Sequence, residues 1–270
     1  MEVLRFILSG KTAIFKKPDV NSYIYFTYGN VHKVALLGMF GAILGYGGYA
    51  QMSGPVKSLK QGKLSESYPE FYKCLKDLNI SILPALEYEK RMIPKKIQSY
   101  NNSTGYASNE QGGNLIVKEQ WLENPKWEIC VLLDCEEAIK IKDALLARKC
   151  VYPPYLGKND HPADIKNVRV ESAEKVDFSL GKVNCLVPKD MMDIAVLDYD
   201  DYDNLSDNED MEDFINNGGV KYVEALPYYL DSWTNNYILR TFLYTNQLVR
   251  PQGKEVCVYH LPDKKKIVFY

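Results

Sequence analysis

A chain of 270 residues, 46% of them hydrophobic, is long and apolar enough to bury a real core, and a formal net charge of −2 excludes a uniformly basic or acidic protein. Its six cysteines include no C-x-x-C pair and none shares ligand spacing with the three histidines, which argues against a zinc knuckle or a disulfide framework and for reduced thiols in a cytoplasm. The charge is unevenly laid out: residues 1–120 hold 15 Lys+Arg against 9 Asp+Glu, whereas residues 191–220 hold 10 acidic residues and no basic one. The acidic run reads either as a solvated loop or as a mask over a basic binding surface, since the rest of the chain stands at +8.

The first predicted element is a strand, VLRFILS, apolar on both faces and so central in a sheet. The start MEVLRFILSGK lacks the basic and long apolar regions of a signal peptide. AIFKKPDVNSYIYFTYGN mixes β-formers with Pro18, Asn21 and Gly29 and predicts a looped excursion toward a first helix over 33–45. YPEFYKCLKDL repeats Phe71, Cys74, Leu75 and Leu78 at helical spacing, and 79–98 reads as a long ribbon carrying Arg91, Lys95 and Lys96. The Asn, Ser and Gly of SYNNSTGYASNEQGGNL predict a hairpin tip. A strand, EICVLLD, and a helix, EEAIKIKDALLARK, follow, the helix acidic at its start and basic at its end as the macrodipole favours. Beyond PPYLGKNDHPADI come a strand near 167–178, the acidic run and a β-rich tail. The order strand, helix, strand, then strand, helix is that of a ferredoxin-like α+β fold. It predicts a first domain over 1–190 and, over 191–270, the acidic segment followed by a small β-rich domain.

The glycine-rich run from Thr27 to Pro55 carries no charge between Lys33 and Lys57. Its apolar part approaches the roughly 17-residue lower limit of a membrane span, but five glycines, two of them ending the helix near Gly45, argue against one. The run reads instead as a buried helix lying on the sheet. Its start, where Tyr28, Asn30, His32 and Lys33 cluster among unpaired N–H groups, suits a phosphate.

The stretch SGKTAIFKKPDVNSYIYFTYGNVHKVALLGMFGAILGYGGY resembles the N-terminal signature of the CRISPR-associated protein family five, and Lys16-Lys17-Pro18 with ALLG…AILG is most similar to its subtype I-B form. PYLGKNDHPADI is similar to the family's mid-chain Leu-Gly-basic loop. The resemblance implies a RAMP-type, RRM-like core with a thumb hairpin near 99–117, and a subunit of the type I interference (Cascade) complex of antiviral defence. Such a subunit holds the 5′ handle of the crRNA, touches the backbone RAMP subunit and the large subunit, and meets target DNA only indirectly. It implies RNA contacts from Lys16, Lys17, Asn21, Tyr28, His32, Lys33, Lys158 and Asn159, with no cofactor, no metal and no membrane. Two other readings stay open. A metal-independent ribonuclease acting on precursor RNA would need a base, an acid and a cation, for which Tyr28, His32 and Lys33 are the candidates, with His161 and Lys158 a second set. A structural adaptor would draw its affinity from partner proteins alone.

Overall fold

The computed structural model describes residues 1–19, 23–52, 68–85, 92–103, 105, 109–111, 114–196, 219–253 and 256–270. In chain order the first half holds β1 (Glu2–Ser9), β2 (Thr12–Ala13), α1 (Lys33–Leu44), α2 (Glu70–Leu75), β3 (Ile80–Pro84), β4 (Lys95–Asn101), β5 (Ile116–Glu123), β6 (Lys126–Leu132) and α3 (Glu136–Leu146). The second half holds β7 (Asp164–Ser172), β8 (Glu174–Val176), β9 (Val187–Pro188), β10 (Met192–Ile194), β11 (Lys221–Leu230), β12 (Tyr237–Thr245), β13 (Val249–Pro251), β14 (Val258–His260) and β15 (Lys266–Val268). The fold is α+β with antiparallel sheets and few helices.

The main sheet has the order β3-β6-β1-β7, every neighbour antiparallel. The two-residue alternation of β1 sorts its side chains into two cores. Leu4, Phe6 and Leu8 are fully buried in one cluster with Leu36, Leu37 and Phe40 of α1 and Ile141 of α3. Val3 enters a second cluster with Leu83, Cys130 and Leu132, closed from the far side by Val187, Leu243, Val258 and Ile267. β8 pairs β14, and β9 pairs β12, so strands on the two sides of residue 190 share sheets.

Arg5 lies on that second face and is fully buried. It donates to Glu128 at 2.7 Å and to Asp263 at 2.8 Å, and it also pairs with Glu171. Burial alone would raise the Glu128 carboxyl, but hydrogen bonds from Lys265 and Arg169 and the charge of Arg5 hold it below its ordinary value. The cluster ties β1 and β6 to the turn before β15, and breaking it one partner at a time would strand a buried charge.

The predicted helix over 33–45 is α1, which stops at Gly45 in a left-handed conformation, φ 83°. α2 is shorter than its sequence pattern: it buries Phe71, Tyr72 and Leu75, while Cys74 is exposed. The ribbon predicted over 79–98 is two strands in two different sheets, β3 in the main sheet and β4 paired with β5, and Arg91 lies outside the described residues. So do Asn21 and residues 197–218, which hold most of the acidic run. No described helix is long and apolar enough to cross a membrane.

Candidate nucleic-acid interface

β4 and β5 pair from Lys95↔Leu122 to Asn101↔Ile116, and β5 is flanked on its other edge by β2 and by Tyr25, which bridges Glu119. The pleat divides this small sheet into two faces. One face carries Lys96, Tyr100, Glu119, Trp121 and Tyr25, and the other carries Lys95, Lys118, Gln120 and Phe26.

The loop Tyr155–His161 docks on the first face. Ile14 N–H donates to Leu156 O at 3.2 Å, and Leu156 N–H donates to His161 O at 2.7 Å. Gly157 sits at φ 86°, and a Cβ there would overlap the Ile14 carbonyl oxygen, so both the backbone angle and the close approach require glycine. This geometry brings Lys158 to Tyr100 OH at 3.0 Å and to Glu119 and Asp160, each at 3.2 Å. Burial opposes the charge of Lys158, but its hydrogen bonds to Tyr100, Asp160 and Glu119 raise its pKa, and it stays an ammonium. Asn159 is exposed at the loop tip. His161 is buried, with Nδ1 at 2.6 Å from Thr12 Oγ1 and its ring edge-on to Trp121 at 4.7 Å. Burial lowers its pKa, so it is a neutral imidazole.

Lys16 is exposed beside this loop, its ammonium 3.6 Å from the centre of the Tyr25 ring. Lys16, Tyr155 and Gly157 line an open cleft of about 950 Å³ together with His32, Ala35, Met39 and Ala42 at and along α1. Tyr46, Tyr49, Phe71, Tyr152 and Tyr237 supply rings along it. Lys17 faces the other way and pairs with Glu224 at 2.7 Å.

The start of α1 is not the open phosphate site that its sequence suggests. Tyr28, His32 and Lys33 are 2%, 3% and 5% exposed. His32 is itself the cap, its Nδ1 accepting from Ala35 N–H at 3.2 Å, which places any proton of the neutral ring on Nε2. Phe15, Tyr28 and Tyr237 pack edge-on around its ring at 5.4–5.8 Å. Burial drives its pKa down to about 3. Lys33 donates to the Tyr270 main-chain oxygen at 3.1 Å and lies over the Tyr228 ring, and burial lowers its pKa to about 8. Lys33, expected at a helix start open to a phosphate, is covered instead by Tyr228 and Tyr270. His32, with one nitrogen committed and its charged form suppressed, lacks the access a general base needs.

Neither a family model nor a curated protein sequence matches the chain. Among solved structures it is similar to a chain of a CRISPR RNA-guided surveillance complex, at 14% identity over 92% of this chain and 91% of that one, with a TM-score of 0.49. It is also similar to a CRISPR protein from Archaeoglobus fulgidus, at 10% identity over 99% and 98%, with a TM-score of 0.46. A chain of the type III-B Cmr-beta complex bound to cognate target RNA and AMPPnP gives 12% identity over 93% and 86%, with a TM-score of 0.42.

Of the residues singled out in the sequence, Lys16 and His32 line the cleft, Lys158 and Asn159 stand on the adjoining Tyr155–His161 loop, Lys17 faces the other way, and Tyr28 and Lys33 are buried at the start of α1. Sequence reasoning did not place Tyr100, Trp121, Tyr152 or Tyr155 at this site. A usable signal for the first two was the alternation of lysines and aromatics along β4 and β5. Tyr155 stands within the PYLGKNDHPADI motif, whereas no chain-local signal marks Tyr152, because the cleft joins residues more than a hundred positions apart. The described residues contain no group of three side chains suited to a metal ion.

Proposed function

We propose that this chain is a crRNA-binding subunit of a CRISPR interference complex, of subtype I-B character, which holds the 5′ handle of the guide along the α1 cleft. The observation that carries the reading is the cleft itself: an open groove with tyrosine faces along its length and the cation Lys16 in its wall, with Lys158 on the loop that carries Tyr155 and Gly157. Single-stranded RNA is gripped in this way, by cations on phosphates and aromatic faces under unstacked bases. The resemblance in residues 9–49 and 154–165 points the same way. So does the sheet order, in which β1, α1, β3, β6, α3 and β7 follow the split βαβ plan of a ferredoxin-like core. On this reading the β4–β5 hairpin is the thumb that reaches the backbone subunit, and another surface meets the large subunit.

The test is a salt titration of single-stranded RNA binding by the purified chain. Affinity falls steeply with salt, and Lys16→Ala and Lys158→Ala each reduce the log–log slope by about 0.7, one phosphate contact on a single strand. Tyr155→Ala weakens binding through lost stacking, roughly 1–3 kcal/mol, and leaves the slope unchanged. Salt-independent binding, or RNA retained only in an assembled complex, contradicts the reading and favours an adaptor.

A further inference from the structure

On the opposite face of the β4–β5 sheet, Lys95 is the shared wall of two cavities. The outer one, about 270 Å³, is an open groove bounded by Lys17, Phe26, Gln120 and Asp19. The inner one, about 240 Å³, is walled by Pro84, Met92, Ile93, Tyr222 and Tyr244. Tyr222 and Tyr244 are directly opposed across β11 and β12, so their rings stand on one side of that ribbon. The inner space is smaller than the roughly 300 Å³ at which sites for drug-sized ligands begin, which suits one planar heterocycle rather than a whole nucleotide.

The polar groups around the inner space are already engaged with one another. Glu224 accepts from Gly29 N–H at 2.7 Å and from the Tyr222 hydroxyl, and Lys17 neutralises it at 2.7 Å. Asn30 accepts from Trp127 Nε1 at 3.0 Å. Apart from Lys95, the walls therefore offer mainly apolar and aromatic faces. Lys95 makes one long hydrogen bond, 3.4 Å to Thr27 O, and pairs with no carboxylate among the described residues. Among the described residues this leaves most donors of the ammonium, at the junction of the two cavities, unspent.

We propose that the inner cavity is a slot for a single unstacked nucleobase, with the phosphate of the same nucleotide in the outer groove against Lys95. The inference rests on the RNA-binding reading and adds to it a second point of attachment, on the face away from the α1 cleft. A slot that offers faces rather than hydrogen-bonding edges accepts any base, so it contributes affinity and register without sequence preference. Phe26, which is exposed at the rim of the outer groove, offers a second face for the neighbouring base.

The experiment compares an eight-nucleotide single-stranded RNA with an abasic ribose-phosphate oligomer of the same length. Met92→Trp fills the slot from its exposed side, and because Met92 is 66% exposed the fold is unaffected, as thermal unfolding checks. Wild type binds the RNA more tightly than the abasic oligomer. Met92→Trp loses about tenfold in RNA affinity and nothing in abasic affinity, while Lys95→Met weakens both. Equal RNA binding by wild type and Met92→Trp overturns the slot and leaves the cleft reading standing. Absence of salt-dependent RNA binding in wild type overturns both.

Discussion

At the scale of single residues, His32 shows how a polar side chain near a helix start becomes structural. One nitrogen caps α1 and three aromatic rings enclose the rest, so the imidazolium has no water to stabilise it. The folded chain holds His32 neutral down to about pH 3, whereas the unfolded chain protonates it near 6.5. Between those values the unfolded state binds more protons, so the stability linked to His32 is complete above pH 6.5 and is lost as pH falls toward 3, by at most about 1.4 kcal/mol per unit. His32→Asn keeps a capping oxygen and removes the titration. Its unfolding free energy, followed by denaturant titration from pH 7 to 4, declines less steeply than that of wild type. Equal slopes would mean that water reaches the ring. The burial of Tyr28, His32 and Lys33 was not legible from sequence for a definite reason: Tyr228, Tyr237 and Tyr270, which help to cover them, lie about two hundred residues away. The Leu-Gly-Lys turn was legible, because Gly157 leaves a local mark.

At the scale of elements, α1 was readable as a buried helix because leucines, isoleucine and phenylalanine surround small residues, and its glycines have separate uses. A Cβ at Gly41 would overlap Phe71 of α2, whereas one at Gly38 meets only the Phe71 ring edge at 3.9 Å. Gly41→Ala should therefore destabilise the protein by about 1–3 kcal/mol through overpacking. Gly38→Ala should stabilise it by up to about 1 kcal/mol through helix propensity. Denaturation midpoints of the two variants check this, and a shift of the same sign in both would contradict the packing account. β1 and β6 were legible, like α1, as apolar runs that must be buried, and α3 by its amphipathic period. β2, β9 and β13, at two or three residues, hold their pairings through distant partners and have no period to read. The single ribbon expected over 79–98 failed because alternation reports a strand but not its sheet.

At the scale of the whole molecule, the account places RNA on the side formed by the α1 cleft and the base of the β4–β5 hairpin, and protein on both sides of the main sheet. In the antiparallel order β3-β6-β1-β7, β7 is an edge strand of the main sheet, and neither β7 nor β8 contributes a residue to the lining of the α1 cleft. Lysine-acetylation footprinting with and without single-stranded RNA, read by mass spectrometry, tests this placement most directly. The account predicts that RNA protects Lys16, Lys95 and Lys158 and leaves exposed Lys166 on β7 and Lys175 on β8 as reactive as before. Protection of Lys166 and Lys175, with Lys16 and Lys158 unchanged, would contradict it.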